Sequence, residues 1–232
     1  MSTTQTGSHR RNTSRKKNHK KDAKKRPLYI EIPLMLVMGL VLALIVKTLL
    51  FQVFTIPSGS MENTLRIGDR VAVDKLSPLL GRDPADGDVI VFEDPDHWLA
   101  GEAGTTTQDY GPVKDTLSFF GVIPPASSDH LVKRVIATGG QTVKCSGQTL
   151  TVDGQTVDEP YLYPGDNSCS GWGDVGPVTV PQGYVWVEGD HRSDSADSRF
   201  HQNDAHQGMV PVDDIVGPVR AVVWPLGDLN WL

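Results

Sequence analysis

Three short segments hold side chains whose types and spacing suit nucleophilic chemistry on a carbonyl. The first, Ile56–Leu65 (IPSGSMENTL), sets Ser58 and Ser60 on either side of Gly59. A serine hydroxyl attacks well only when a base takes its proton, and a neighbouring glycine lets a substrate backbone come close. The second, Leu131–Gly140 (LVKRVIATGG), places Lys133 and Arg134 inside an apolar run. Strand alternation sends the two to opposite faces, so that one of them points inward. A lysine desolvated by apolar neighbours loses its proton more easily and can then act as a general base, whereas arginine stays charged. The third, Gly189–Phe200 (GDHRSDSADSRF), concentrates Asp, Arg and Ser, which can form a loop of paired guanidinium and carboxylate groups. Each segment alone also has an ordinary reading: linker serines, a basic pair on an edge strand, a polar surface loop.

The elements that must position these groups follow from composition. The chain has 232 residues, 38% hydrophobic and 22% charged. It is too apolar for a disordered chain and too polar for a multi-span membrane protein. Its 23 Gly and 16 Pro favour a loop-rich β fold over a helical bundle. Charge is divided unevenly. Residues 1–26 carry ten Lys or Arg against Asp22 alone, a balance of +9, while the whole chain is at −6, which leaves −15 for the rest. Between the two lies LYIEIPLMLVMGLVLALIVKTLL, residues 28–50, with no charge between Glu31 and Lys47. About 20 such residues cross a bilayer as a helix. No small-residue cleavage site follows, so an uncleaved anchor is expected over 28–51 rather than a secretory signal. The positive-inside bias then puts the basic arm, 1–27, in the cytoplasm and residues 52–232 outside. The arm has no aromatic residue to stack on bases, and it abuts an apolar span. A topology signal in contact with anionic lipid is therefore expected, not a nucleic-acid partner.

Residues 52–232 read as β structure, an antiparallel sheet, barrel-like or sandwich-like. Apolar or alternating runs occur at 70–73, 88–92, 131–137, 149–152, 178–180, 184–187 and 219–224, and Asp153-Gly154 is a hairpin signal. A loop-rich insertion is expected over about 93–129. Cys145 and Cys169, each in a polar loop context on the oxidising side, are candidates for a disulfide. No cofactor or metal is expected, because the histidine spacings lack a metal-ligand signature. A Ser-His-Asp triad using His191 or His201 is the enzymatic rival, and an anchored binding module without catalysis is the alternative of a different class.

Taken together the three segments resemble the bacterial type I signal peptidases, membrane-anchored serine proteases of protein export. The matching residues are Pro57-Ser58-Gly59-Ser60-Met61 with Thr64-Leu65, then Gly68-Asp69, Lys133-Arg134-Val135 with Gly139, and Gly189-Asp190 through Ser195-Ala196-Asp197-Ser198-Arg199, in the same order and after the same kind of anchor. Asn63 departs from the pattern, standing where many members have proline. His191 and Ser193 replace commoner Asn and Asp. The resemblance implies a bacterial plasma-membrane endopeptidase that removes signal peptides from preproteins after small residues in an Ala-x-Ala pattern. It implies Ser60 as nucleophile, Lys133 as general base and Ser195 as the group orienting the lysine. The Ser60 backbone N–H and the Ser58 hydroxyl would form the oxyanion hole, and Asp190, Arg134, Asp197 and Arg199 would support the site. A substrate strand would lie along Thr55–Pro57 and Asp129–Lys133. Phe51, Phe54, Trp224 and Trp231 are candidates for seating the domain at the membrane surface, with a place in the core as the alternative for Trp224.

Overall fold

The computed structural model describes residues 28–101 and 130–232. The expected basic arm (1–27) and most of the expected insertion (102–129) lie outside the described residues. The chain divides into two compact units, Met1–Leu40 and Val41–Leu232. In the first, Leu28 begins helix α1 (Leu28–Leu50). Its side chains, described at 31–44, are mostly exposed, including Ile32, Met35 and Leu36. Among the described residues no helix is long and apolar enough to cross a membrane. The apolar character that runs past residue 50 does not prolong the helix: Phe51 opens a strand, β1 (Phe51–Thr55), because Phe51–Thr55 finds an antiparallel partner in Arg70–Asp74, β2.

The second unit is built on two antiparallel sheets. The larger runs in the order β1–β2–β11–β3–β4–β9–β10, where β3 is Val89–Glu93, β4 His130–Thr138, β9 Tyr184–Glu188, β10 Met209–Pro211 and β11 Ile215–Trp224. A short strand, β12 (Asn230–Trp231), adds to β11. The path ends at β1 and β10 without closing, so the sheet is an open, partial barrel among the described residues. Strand β11 joins its two halves, pairing with β3 through Ile215–Pro218 and with β2 through Val219–Trp224. The switch passes Gly217, where a Cβ would collide with the Asp74 carbonyl, so only glycine fits. The smaller sheet runs β7–β6–β5–β8, with β5 Thr142–Ser146, β6 Thr149–Val152, β7 Gln155–Thr156 and β8 Val175–Thr179. Its Asp153-Gly154 turn has both residues at positive φ, 52° and 77°, the twist a two-residue hairpin requires.

Every strand expected from the sequence is present, with small shifts of its ends. The loop assigned to Cys145 is not: Cys145 lies in β5, where alternation turns Val143 and Cys145 into the core and Lys144 outward. Cys169 is buried in the same cluster, with Leu150, Val175 and Trp186, which fastens the small sheet to the large one.

Candidate active site

The Ile56–Leu65 segment is a tight turn leaving β1. Ile56 N–H donates to the Asp69 carbonyl and Gly68 N–H to the Ile56 carbonyl, both at 2.9 Å, so the turn is closed at its base. Met61 and Leu65, completely buried beside Phe54, Ile56 and Val71, hold its far side in the core. Asn63 sits at φ 83° and its side-chain amide donates to the Tyr161 and Leu162 carbonyls at 3.1 Å each. Proline, locked near −65°, cannot adopt that conformation. The departure from the family pattern at Asn63 therefore has a local reason: a left-handed turn stitched to the 161–162 segment.

Strand β4 presents the lysine. Lys133 pairs in register with Ile90 of β3, and its Nζ lies 2.6 Å from Ser60 Oγ. Ser58 Oγ stands 3.4 Å from the same oxygen. Lys133 is 4% exposed and Ser60 7%. The expectation that one of Lys133 and Arg134 would point inward is too narrow, because both faces of β4 are covered. Arg134, on the opposite face, is also buried. Its guanidinium grips the Asp190 carboxylate with two bonds, Nε to Oδ1 at 2.8 Å and Nη2 to Oδ2 at 2.6 Å, and donates to the Gly87 carbonyl at 2.8 Å. Thr64 donates to the same carboxylate, and the Tyr161 ring covers the guanidinium at 3.9 Å. Burial, with the Glu159 carboxylate adding to it, pushes the Tyr161 phenol up from its ordinary value in spite of the Arg192 and Arg134 guanidiniums.

The third segment closes the site from behind. The Ser60 carbonyl accepts from His191 N–H at 3.1 Å. Gly189 passes so close that a Cβ there would stand 2.5 Å from the Ser60 carbonyl oxygen and 2.6 Å from Ser195 Cβ. Ser195 Oγ donates to Asp197 Oδ2 at 2.7 Å, which also takes the Gly189 N–H at 3.0 Å. Arg199 clamps Asp197 with two bonds, at 2.8 and 2.7 Å, and reaches the Ser170 and Arg192 carbonyls. Burial alone would raise the Asp197 carboxyl. The Arg199 guanidinium, its hydrogen bonds and the Gly189 N–H outweigh this and hold it below the usual carboxylate range.

Sequence reasoning did not single out Arg192, Glu159 and Glu188. Arg192 is wholly buried, donates to the Gly189 carbonyl at 2.9 Å and to Ser168 O at 2.7 Å, and pairs with Glu159 and with Glu188 Oε2 at 2.9 Å. Glu188 also accepts the Trp186 indole N–H at 2.9 Å. Burial is the main influence on the Glu188 carboxyl and raises it, in spite of the guanidiniums of Arg192 and Arg199 beside it. The available signal was a charged residue ending the apolar run Tyr184-Val185-Trp186-Val187, where alternation would admit only a core side chain. Cys145 and Cys169 are joined by a disulfide, with 5.8 Å between their Cα atoms. The carbonyls of Ser168 and Ser170, flanking Cys169, are the ones that Arg192 and Arg199 hold.

The candidate triad histidines are engaged elsewhere. His201 Nδ1 lies 2.6 Å from Asp204 Oδ2 and its ring stacks on Trp98. The His191 ring stacks on Tyr163, with Nδ1 3.6 Å from Glu62. Among the described residues no group of His, Cys, Asp and Glu is placed to hold a metal. Beside Ser60 opens a cleft of about 30 Å³, lined by Ile56, Pro57, Ser58, Met61, Leu99 and the strand His130–Lys133. A buried Ser–Lys contact with a hydroxyl donor alongside can pass a proton, build a nucleophile and hold a developing oxyanion.

A family described as signal peptidase, peptidase S26, matches residues 29–224. A signal peptidase I of Mycobacterium tuberculosis is 44% identical over 221 residues, covering 87% of this chain and 74% of its own length. A probable signal peptidase I of Mycobacterium leprae is 41% identical, covering 88% and 79%. Signal peptidase I T of Bacillus subtilis is 31% identical, covering 92% of this chain and 95% of its own.

Proposed function

Because this chain belongs to the signal peptidase family, peptidase S26, and is a serine endopeptidase that removes signal peptides, we propose that it works through a Ser60–Lys133 dyad. The observation that carries this is the 2.6 Å contact between Lys133 Nζ and Ser60 Oγ at a buried position. Desolvation favours the free amine over the ammonium, and a free amine at hydrogen-bond distance can take the hydroxyl proton as the oxygen attacks. Asp197 is already committed to Arg199, so it supports the loop and does not compete for the proton. Ser195, whose proton goes to Asp197, keeps oxygen lone pairs for an N–H of Lys133, and this would aim the amine at Ser60. The Ser58 hydroxyl and the Ser60 backbone N–H form the oxyanion hole.

The cleft supports a preference for small residues before the cut: its volume admits a methyl group and little more. A substrate strand laid along Thr55–Pro57 and the start of β4 presents alternate side chains to the enzyme, which fits selection of an Ala-x-Ala pattern in signal-peptide-bearing preproteins. Residues 28–50 carry no charge between Glu31 and Lys47, and the arm before them is strongly basic. This supports a single-pass anchor in the plasma membrane with the basic arm in the cytoplasm and the catalytic domain outside. The test is cleavage of a defined preprotein by the detergent-solubilised full chain. Ser60→Ala and Lys133→Ala should each abolish turnover while circular dichroism stays that of the wild type. Turnover retained in Lys133→Ala would refute the dyad, and loss in His191→Ala or His201→Ala with Lys133→Ala active would install a histidine base instead.

A further inference from the structure

We propose that Leu99 is a specificity-determining residue, the wall that limits which side chain can occupy the cleft beside Ser60. The inference rests on the Ser60–Lys133 reading of the site. The other described residues lining that cleft come from the nucleophile turn, Ile56–Met61, or from the first residues of β4, His130–Lys133. Leu99 alone among them comes from the segment that follows β3, in a 3₁₀ turn at Trp98–Gly101.

That turn is held in place. The Asp94 carboxylate accepts the backbone N–H groups of Trp98 at 2.7 Å and Leu99 at 3.0 Å. Trp98 is buried, edge-on to Phe92 of β3 and stacked flat on His201 with 4.3 Å between ring centres. Asp96 takes both the backbone N–H and the ring Nδ1 of His206, at 2.9 and 2.8 Å. The turn is therefore tied at two points to the 201–206 segment, a few residues beyond Asp197 and Arg199. Leu99 is half-buried, packs against the cluster that includes Ile90, Phe92, Leu131 and Val135, and lines the cleft. A preference for a methyl-sized side chain then comes from a residue outside the three segments that carry the chemistry. Its chemical class of substrate is a peptide with a small apolar residue on the amino side of the scissile bond.

Leu99→Ala removes three carbon atoms from that wall. The test offers the full-chain enzyme two preproteins differing only in the residue before the cut, alanine or valine, and reads the ratio of their kcat/KM values. Each additional carbon a pocket must accept or reject is worth about tenfold or more. The expected result is a rise of at least about tenfold in the valine-to-alanine ratio for Leu99→Ala, no change for Leu99→Met, and preferential loss of the alanine substrate against a glycine one for Leu99→Phe. The ratio is measured within one enzyme sample, so partial unfolding of a variant cancels. An unchanged ratio in Leu99→Ala overturns the inference and leaves the Ser60–Lys133 reading standing. Cleavage by Ser60→Ala would remove that reading instead.

Discussion

Replacing Gly189 by alanine would separate a support of Ser60 from Ser60 itself. The added Cβ would stand 2.5 Å from the Ser60 carbonyl oxygen and 2.6 Å from Ser195 Cβ. Ordinary contacts of this kind are about an ångström longer, and the group that must yield on one side is backbone. The Ser60 carbonyl is already tied to His191 N–H at 3.1 Å, so it can retreat only by carrying Ser60 away from its place. Lys133 cannot follow freely, because β4 is locked between β3 and β9. A displacement of about 1 Å at a reacting atom costs about a hundredfold in rate. Overpacking a tight site costs about 1–3 kcal/mol of stability, or roughly 2–12 °C in Tm for a domain of this size. The assay is preprotein cleavage at saturating substrate, with thermal unfolding of the same samples. We expect kcat to fall about a hundredfold at a temperature where the variant is fully folded, with KM little changed. Near-wild-type kcat in the single variant would show that the 189–191 segment does not position the nucleophile, and the reasoning would fail.

Ser58→Ala should lower kcat by about 10²–10³ with little effect on KM, as expected for a donor that matters only once the oxyanion develops; a pure KM effect would refute that role. Asp197 has a folded-state pKa below its unfolded value, so its contribution to stability is present above the ordinary carboxylate range and is lost as pH falls through the depressed value. Asp197→Asn should therefore be destabilised at neutral pH and show a weaker loss of stability on acidification, measured as Tm against pH. Cys145→Ala/Cys169→Ala, which opens a loop of 24 residues, should cost about 3 kcal/mol in denaturant unfolding, with wild type in reductant behaving alike. Equal stability with and without reductant would show that the bridge contributes nothing.

The nearest-neighbour physics of this chain was open to reading from its residues. Alternating runs gave the strands because a half-buried strand must alternate. Asp153-Gly154 announced its hairpin because two positive φ values exclude most residues. Ser60, Lys133 and the 189–199 loop each have an ordinary reading alone and stood out only together, through the order of three segments that resembles a known family. Only the tertiary structure decided what meets what. Ser60 and Lys133 are 73 residues apart, and periodicity says which face of β4 a side chain takes but not that both faces are covered. Glu188 looked like the end of a strand until Arg192 and Arg199 arrived beside it from the following loop. Cys145 looked like a loop residue because β5 is short and flanked by polar turns, and its burial depends on the small sheet docking against Trp186. Leu99 carried no signal at all, since a leucine after a strand is ordinary. Its place at the cleft comes from Asp94, Asp96 and Trp98 binding partners that include residues more than a hundred positions away. Local patterns record the conformational preferences of neighbouring residues, whereas a site joins groups distant in the chain, whose meeting depends on which faces the fold buries against each other.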